Sequence, residues 1–403
     1  VSGHFRHSIV NATVVTPGRI LHNATLVLAG EVIEDVGHLP PAGPVSDVAG
    51  AWVLPGFIDV HAHGGGGRSF TTGDPAEIDE AAAFHLAHGT TRLLASLASV
   101  SVADIVTALD AISRCGTRRE GRILGAHLEG PFLSHRHPGC HDLHHLIPPD
   151  VAVLQRLLGT APGLVRTLTL APELPGAVPV IEAALAGGVR LGIGHSAATY
   201  EEALSAFDRG IGHVTHVHNA MPALGHRAPG IFGAAVRRGI PLELIADGVH
   251  VHPTVVAMTF RLAPGRVALI TDAAPATGMP AGHLSHVGSA AVVTRPDGRI
   301  TRRDGDTLAG SALTMDEALR QSLSAGVPLL QAVRAAATTP AELLGEGDRF
   351  GSIARGKRAD LVIMDESFQV RDVLVDGRSL GRTPRSASLA GTAERDIEGR
   401  GGR

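Results

Sequence analysis

Cysteine is scarce. The chain has two thiols, Cys115 and Cys140, in 403 residues. Two thiols in a chain this long make no disulfide framework, and a reduced cytoplasm is the setting expected. Long basic runs are absent and the formal net charge is −4, so nucleic-acid binding has no electrostatic support. No apolar run approaches the ~18 residues of a membrane span. The long Ala/Gly/Val stretches are interrupted, for example by Glu182 and Arg190. The opening residues, Val1-Ser-Gly-His-Phe-Arg-His, lack the basic-then-apolar pattern of a secretory signal. Charged residues make up only 18% against 44% hydrophobic. That balance excludes a wholly disordered chain and allows a sizeable core.

Histidine is abundant instead, 23 of 403, which invites a search for metal ligands. The length exceeds one ordinary domain of roughly 100–200 residues and suits a large barrel with a small accessory domain. Ser8–Thr16, Leu26–Ala29 and Glu31–Val36 read as short strands punctuated by Gly and Pro. From Trp52 to Ala274 short apolar runs alternate with Ala/Leu/Glu-rich stretches of helical period, which predicts βα units and a parallel sheet. Eight candidate strands follow: Gly56–His63, Thr91–Leu97, Ile123–Glu129, Val165–Ala171, Arg190–His195, Gly212–His218, Leu242–Ala246 and Val267–Asp272. They recur about every 30 residues, the rhythm of a (β/α)₈ barrel of roughly 250 residues. A hairpin texture returns over 285–310 with Pro296-Asp297-Gly298 as its turn, then helical patterns at Thr314–Ala325 and Leu329–Ala337. Gly351–Asp365 and Val370–Asp376 read as strands. The predicted fold is α/β: a TIM barrel over 52–344 with an inserted hairpin, and a small β-sandwich domain built from 1–51 and 345–380. The polar, Gly-rich tail 381–403 is expected to be disordered.

The strongest local signal is Pro55-Gly-Phe-Ile-Asp-Val-His-Ala-His-Gly-Gly-Gly-Gly67. Alternate strand residues share a face, so Asp59, His61 and His63 point the same way. Two imidazoles at the mouth of a barrel can bind one divalent ion. A lone His-x-His pair is equally consistent with two buried, hydrogen-bonded histidines. Other strand ends tip the balance: Glu129, His195, His216 and Asp272 each fall where a candidate strand stops. Imidazole and carboxylate donors suit borderline ions such as zinc, and a carboxylate can bridge two ions. Gly64–Gly67 lacks the Gly-Lys-Ser/Thr ending of a phosphate loop. His135, His137, His144 and His145 read as solvated or helix-capping, with a mobile lid as the alternative. Cys140 reads as a small buried residue, with a redox-sensitive thiol as the alternative.

Beyond these residues, the stretches Pro55–Gly67, His127–Leu133, Gly139–Asp142, Gly194–Thr199, Thr215–Pro222, His226–Gly230, Ala246–Pro253, Thr271–Gly278 and Leu308–Ala312 form a more specific set. Together they resemble the N-acetylglucosamine-6-phosphate deacetylase family of the amidohydrolase superfamily over nearly the whole chain. The resemblance implies a barrel with a small β-sandwich domain. It makes Glu129, His195 and His216 ligands of a primary metal. Some members carry Gln and Asn at the first-strand pair. His61 and His63 here imply a second ion, bridged through Glu129. Asp272 matches the catalytic carboxylate, and His141 the histidine at the acetyl carbonyl. Asn219, Ala220, Arg227 and His250 match positions around a sugar phosphate. His218 departs from the hydrophobic residue expected there.

The implied reaction is deacetylation of N-acetyl-D-glucosamine 6-phosphate with one or two divalent ions per subunit: Zn²⁺ first, then Fe²⁺, Co²⁺ or Mn²⁺. A homodimer is implied, with Arg227 reaching the neighbouring subunit's site. No nucleic-acid or membrane partner is expected. The rivals are the galactosamine isomer or another amide as substrate, and a non-catalytic scaffold, which would be expected to have lost ligands.

Overall fold

A strand covered on both faces reads as a near-continuous apolar run, and eight such runs form one parallel sheet. In the computed structural model, which describes residues 5–115 and 122–379, they are β1 (Phe57–Ala62), β2 (Thr90–Leu97), β3 (Ile123–Glu129), β4 (Val165–Leu170), β5 (Arg190–Ile193), β6 (His213–Val214), β7 (Leu242–Ile245) and β8 (Val267–Ile270). Spatial order follows chain order. The ring closes between β8 and β1, where Ala62 bridges Ala273 in parallel. There Asp272 N donates to His61 O and His63 N to Ala273 O, each at 2.8 Å. Asp59, fully buried, reinforces the seam by accepting from Thr271 Oγ1 at 2.6 Å and His61 N at 3.1 Å.

Helices follow the strands: α1 (Pro75–Ala87), α2 (Val102–Cys115), α3 (Val151–Thr160), α4 (Ala177–Ala186), α5 (Tyr200–Asp208), α6 (Gly230–Arg238), α7 (Pro253–Leu262) and α8 (Met315–Ser324). Their starts are chemically marked. Asp74 and Asp150 cap α1 and α3, and Thr199 with Glu202 forms a reciprocal capping box on α5. Between β8 and α8 lies an insertion of three antiparallel strands, Leu284–Val287, Ala290–Thr294 and Ile300–Arg302. The expected hairpin is thus extended by one strand, with the predicted turn joining its last two. The helix expected over Leu329–Ala337 runs on to Leu343 through a π turn at Arg334–Thr338.

The second sheet is woven from both ends of the chain. Trp52–Pro55 pairs in parallel with Arg6–Thr16 and antiparallel with Leu361–Met364. Arg19–Ala29 and Val32–Gly37 extend one side, Val370–Val375 and Arg378–Ser379 the other. Ile9, Val14, Leu26, Leu28, Ile33, Val53, Leu361 and Leu374 form its core. Buried Arg92 of β2 ties this sheet to the barrel through Asp360 and Asp376, each at 2.7 Å. Several expected strands end one or two residues early, and two are much shorter than predicted. Gly351–Asp365 contributes only Leu361–Met364. Gly212–His218 contracts to β6: Thr215 N and Val217 N still donate to Ile193 O and Glu243 O at 2.9 and 2.8 Å, but His216 and His218 adopt φ of 28° and 79° and break the extended run. The tail from residue 381 lies outside the described residues. Among the described residues no helix is long and apolar enough to cross a membrane.

Candidate active site

The side chains that end β1, β3, β5, β6 and β8 converge at the C-terminal mouth of the barrel. Glu129, 3% exposed, is the hub. Its Oε1 lies 3.1 Å from His195 Nε2, 3.0 Å from His216 Nε2 and 3.4 Å from His61 Nε2. Its Oε2 lies 3.1 Å from His63 Nε2 and 3.2 Å from His141 Nε2. Asp272 Oδ1 stands opposite, 3.3 Å from His63 Nε2 and 3.5 Å from His61 Nε2. His195, His216 and Asp272 all have positive φ, of 46°, 28° and 49°. Such φ values are uncommon outside glycine and cluster where function holds the backbone. Each residue sits just past its strand, so the turn swings the side chain over the mouth.

The electrostatics mark a place for positive charge. Burial opposes ionisation of Glu129, but His61, His195 and His141 outweigh it and hold its pKa well below the usual carboxylate value. Burial likewise opposes ionisation of Asp272, yet the His61 charge and the His63 hydrogen bond pull it down to about 2. His63 is disfavoured as a cation by burial, but lies between these two carboxylates and is raised to about 10. His195 is pushed down to about 4 by burial, with Glu129 opposing. His61 Nε2 faces His63 Nε2 at 3.2 Å, and His195 Nε2 faces His216 Nε2 at 3.1 Å. His141 Nε2 is buried and, though 3.2 Å from Glu129 Oε2, makes no well-aligned hydrogen bond among the described residues. Donor atoms of His61, His63 and Glu129 lie within 4.8 Å of one another, as do those of Glu129, His141 and His195. Facing lone pairs around shared carboxylates fit a divalent cation, which would satisfy all of them at once.

Surrounding groups fix the rings. His195 Nδ1 donates to His137 O at 3.0 Å, leaving Nε2 for the centre. His61 Nδ1 lies 3.3 Å from Glu243 Oε2, on β7, with the same result. Gly139 (φ 57°) crosses so close to His195 that an added Cβ would meet its Cε1 at 2.8 Å. That close approach requires glycine and seats the next residues, Cys140 and His141, over the mouth. Arg302 of the inserted strands pins the same loop through Cys140 O at 3.2 Å.

A cavity of about 220 Å³ opens above the cluster, lined by His63, Glu129, His141, His195, His216, Asn219, Ala220, His250 and Asp272, with Cys140, Thr307 and Leu308. His250 is oriented by Asp247, whose Oδ2 lies 2.7 Å from its Nδ1. The sequence profile of the amidohydrolase family matches residues 52–380. The chain belongs to the amidohydrolase family.

This amidohydrolase is similar to the N-acetylgalactosamine-6-phosphate deacetylase of Escherichia coli O157:H7, with 33% identity over 89% of this chain and 95% of that one. It is as similar to the N-acetylglucosamine-6-phosphate deacetylase of Bos taurus, 33% identical over 91% and 93% of the two chains. The crystal structure of the N-acetyl-D-glucosamine-6-phosphate deacetylase from Mycobacterium smegmatis superposes with a TM-score of 0.88 at 35% identity, covering 94% of this chain and all of that one. An aspartate-to-alanine mutant of that enzyme has been solved in complex with N-acetyl-D-glucosamine-6-phosphate.

Arg227 of this amidohydrolase is exposed and does not line its own chain's cavity. His218 turns away from the cavity. Its Nε2 lies 2.9 Å from Thr259 Oγ1, its ring packs on Phe232, and burial lowers its pKa to about 4. Asp59 shares the His61 face but braces the barrel seam. Burial, then the Glu129 and Asp272 charges, raise the Cys140 thiol's pKa, which argues against a reactive thiolate. His135 lies 3.1 Å from Leu146 O, while His144 packs on Asp142 in the short helix Leu143–His145 that Asp142 caps. Sequence reasoning missed Glu243 and Asp247. The one available signal was a lone acid inside the apolar run Leu242-Glu-Leu-Ile245.

Proposed function

We propose that this amidohydrolase cleaves the acetamide of N-acetyl-D-glucosamine 6-phosphate, releasing acetate and D-glucosamine 6-phosphate in amino-sugar catabolism and recycling. The observation that carries the proposal is the pairing of Asp272 with the Glu129-centred histidine cluster in a chain so similar to these deacetylases.

His61, His63, Glu129, His195 and His216 would hold one or two divalent ions, with Glu129 common to the two sets of donors. Zn²⁺ suits the donors best, and Fe²⁺, Co²⁺ or Mn²⁺ are compatible. An ion held there would supply Lewis acidity, polarising the amide carbonyl and bringing the pKa of a water toward ~7. Asp272, ionised at neutral pH, accepts a proton from the attacking water and delivers it to the departing nitrogen. His141, held over the mouth by the Gly139 turn, donates to the carbonyl oxygen as it gains charge. Asn219, Ala220 and His250 line the sugar side of the cavity, and the Asp247 contact fixes the His250 ring toward the phosphate. Arg227, outside its own cavity, serves the partner's site in a cytoplasmic homodimer, where a guanidinium fork suits phosphate. Within the proposed division into a barrel domain (52–344) and a small domain (1–51 with 345–380), Trp52–Pro55 is reassigned to the small domain, because it pairs with Arg6–Thr16 and Leu361–Met364 there.

The test is acetate release from a panel of N-acetylglucosamine 6-phosphate, N-acetylgalactosamine 6-phosphate and the free sugars, before and after chelation. The glucosamine phosphate should be the best substrate and chelation should abolish turnover, with divalent ions restoring it. Full activity in metal-free protein would remove the metal reading. Faster turnover of the galactosamine phosphate would favour the epimer, which the Escherichia coli relative supports.

A further inference from the structure

A second cavity, of about 590 Å³, opens at the opposite end of the barrel among the starts of β5 to β8. Its ionisable lining is unbalanced. Arg190, Arg266 and Arg334 face one carboxylate, Glu342, and that carboxylate already pairs with Arg334 at 2.7 Å. Arg266 Nη2 donates to Leu262 O at 3.2 Å, but its Nε is buried without a partner among the described residues. The Arg190 guanidinium makes no hydrogen bond or ion pair among the described residues. The acid acting on it, Glu346, is already held by Arg166 at 3.0 Å and Arg349 at 2.9 Å. Burial first, then repulsion from Arg166, lowers the Arg190 pKa, with Glu346 opposing. The buried Arg266 Nε is the costly group here, while the exposed Arg190 guanidinium, with no protein acceptor among the described residues, is free to exchange its water for an entering anion. The π turn Arg334–Thr338 adds a local irregularity of a kind frequent at functional sites. It brings Arg334 Nε and Thr339 Oγ1 to one acceptor on the rim, Gly265 O, at 3.2 and 3.3 Å.

We propose that this cavity binds a phosphate group, free or on a small ester, between Arg190 and Arg266 with Arg334 beside them, at a site separate from the catalytic mouth. Guanidinium forks match phosphate oxygens bidentately. The volume exceeds what a bare phosphate fills and leaves room for the organic part of an ester.

The experiment is calorimetric titration of the metal-loaded protein with inorganic phosphate and, separately, with glycerol phosphate. Two classes of site are expected, of which only one competes with substrate in turnover assays. Arg190→Ala combined with Arg266→Ala should weaken the non-competing class by roughly 10- to 150-fold per lost contact. The competitive inhibition constant of phosphate and the turnover should stay unchanged. Glu342→Gln releases Arg334 and should tighten the same class, which decides the matter if the double variant does not fold. Tighter binding of the ester assigns a phosphorylated metabolite, and tighter binding of the inorganic ion assigns free phosphate. A single competitive class, equal binding by the double variant, or no tightening in Glu342→Gln would overturn the proposal.

Discussion

Glu129 brings one negative charge to a point where His61, His63, His141, His195 and His216 converge, and Asp272 brings another from the opposite side. Under the proposed mechanism the two carboxylates take different tasks because their neighbours differ. Both line the cavity, but Glu129 is held by five ring nitrogens across its two oxygens, whereas the ring contacts of Asp272 are two and go through Oδ1 alone. Asp272→Asn should therefore keep the fold and the metal while lowering kcat roughly 10²- to 10⁴-fold. A kcat within tenfold of wild type, in protein of unchanged metal content, would place the proton transfer elsewhere. Glu243 acts one step back, by holding His61 Nδ1 and thereby exposing Nε2. Its amide variant, Glu243→Gln, should weaken the ion bound by His61 and His63 roughly 10- to 100-fold, read by metal titration independently of activity. Unaltered affinity would mean that packing alone orients His61. The residues that converge around Glu129 were legible in the sequence because each stands at or near the end of a short apolar run. Glu243 was not, since a lone glutamate in a short strand carries no sign of which face it takes.

Among the elements, the strands were easier to locate than to measure. All eight barrel strands lie where the apolar runs placed them, yet β6 shrinks to His213–Val214. A side chain's contribution to the mouth is decided by φ at the strand exit, and hydrophobic periodicity carries no information about φ. The insertion after β8 gained a strand for a related reason: Leu284–Val287 is largely exposed, so its pattern is weak. α8 shows how a helix is fastened to the ring. Asp316 accepts from Thr314 Oγ1 at 2.6 Å and pairs with His88 and Arg320, each at 3.1 Å. Burial works against its ionisation, but the His88 and Arg320 contacts hold its pKa down to about 2. A depressed carboxylate stabilises the fold fully above its unfolded value, 3.8, and loses that contribution as pH falls through about 2. Asp316→Asn should thus cost about 1–3 kcal/mol at neutral pH, and the gap in Tm from wild type should narrow below pH ~4. A gap constant down to pH ~2 would show that packing, not charge, accounts for the loss.

For the whole molecule, Arg227 sits with exposed His226 and Ala228 in the Gly225-His-Arg-Ala-Pro-Gly230 stretch and does not line its own cavity. Gly and Pro make this a loop that can reach a neighbour. A charge-assisted contact to phosphate is worth about 1.5–3 kcal/mol, so Arg227→Ala should reduce kcat/KM for the phosphorylated sugar roughly 10- to 150-fold. Turnover of free N-acetylglucosamine should hardly change. Mixing Arg227→Ala chains with Asp272→Asn chains should restore part of the activity, because one site of each heterodimer then holds both residues. Heterodimers without recovery would return Arg227 to its own chain.

The weave of the second sheet also bears on how the chain is born. Trp52–Pro55 lies between Arg6–Thr16 and Leu361–Met364, partners separated by nearly the full barrel. Barrel strands pair with sequence neighbours and can assemble as they emerge. One edge of Trp52–Pro55 cannot be covered until Leu361–Met364 has been made. At roughly 5–20 residues per second, that wait is on the order of 15–60 s of synthesis. During it the nascent chain presents a bare strand edge, Trp-Val-Leu-Pro, of the kind that invites pairing with other chains. Aggregation during expression should accordingly be governed by this strand and by whatever shields it on the ribosome.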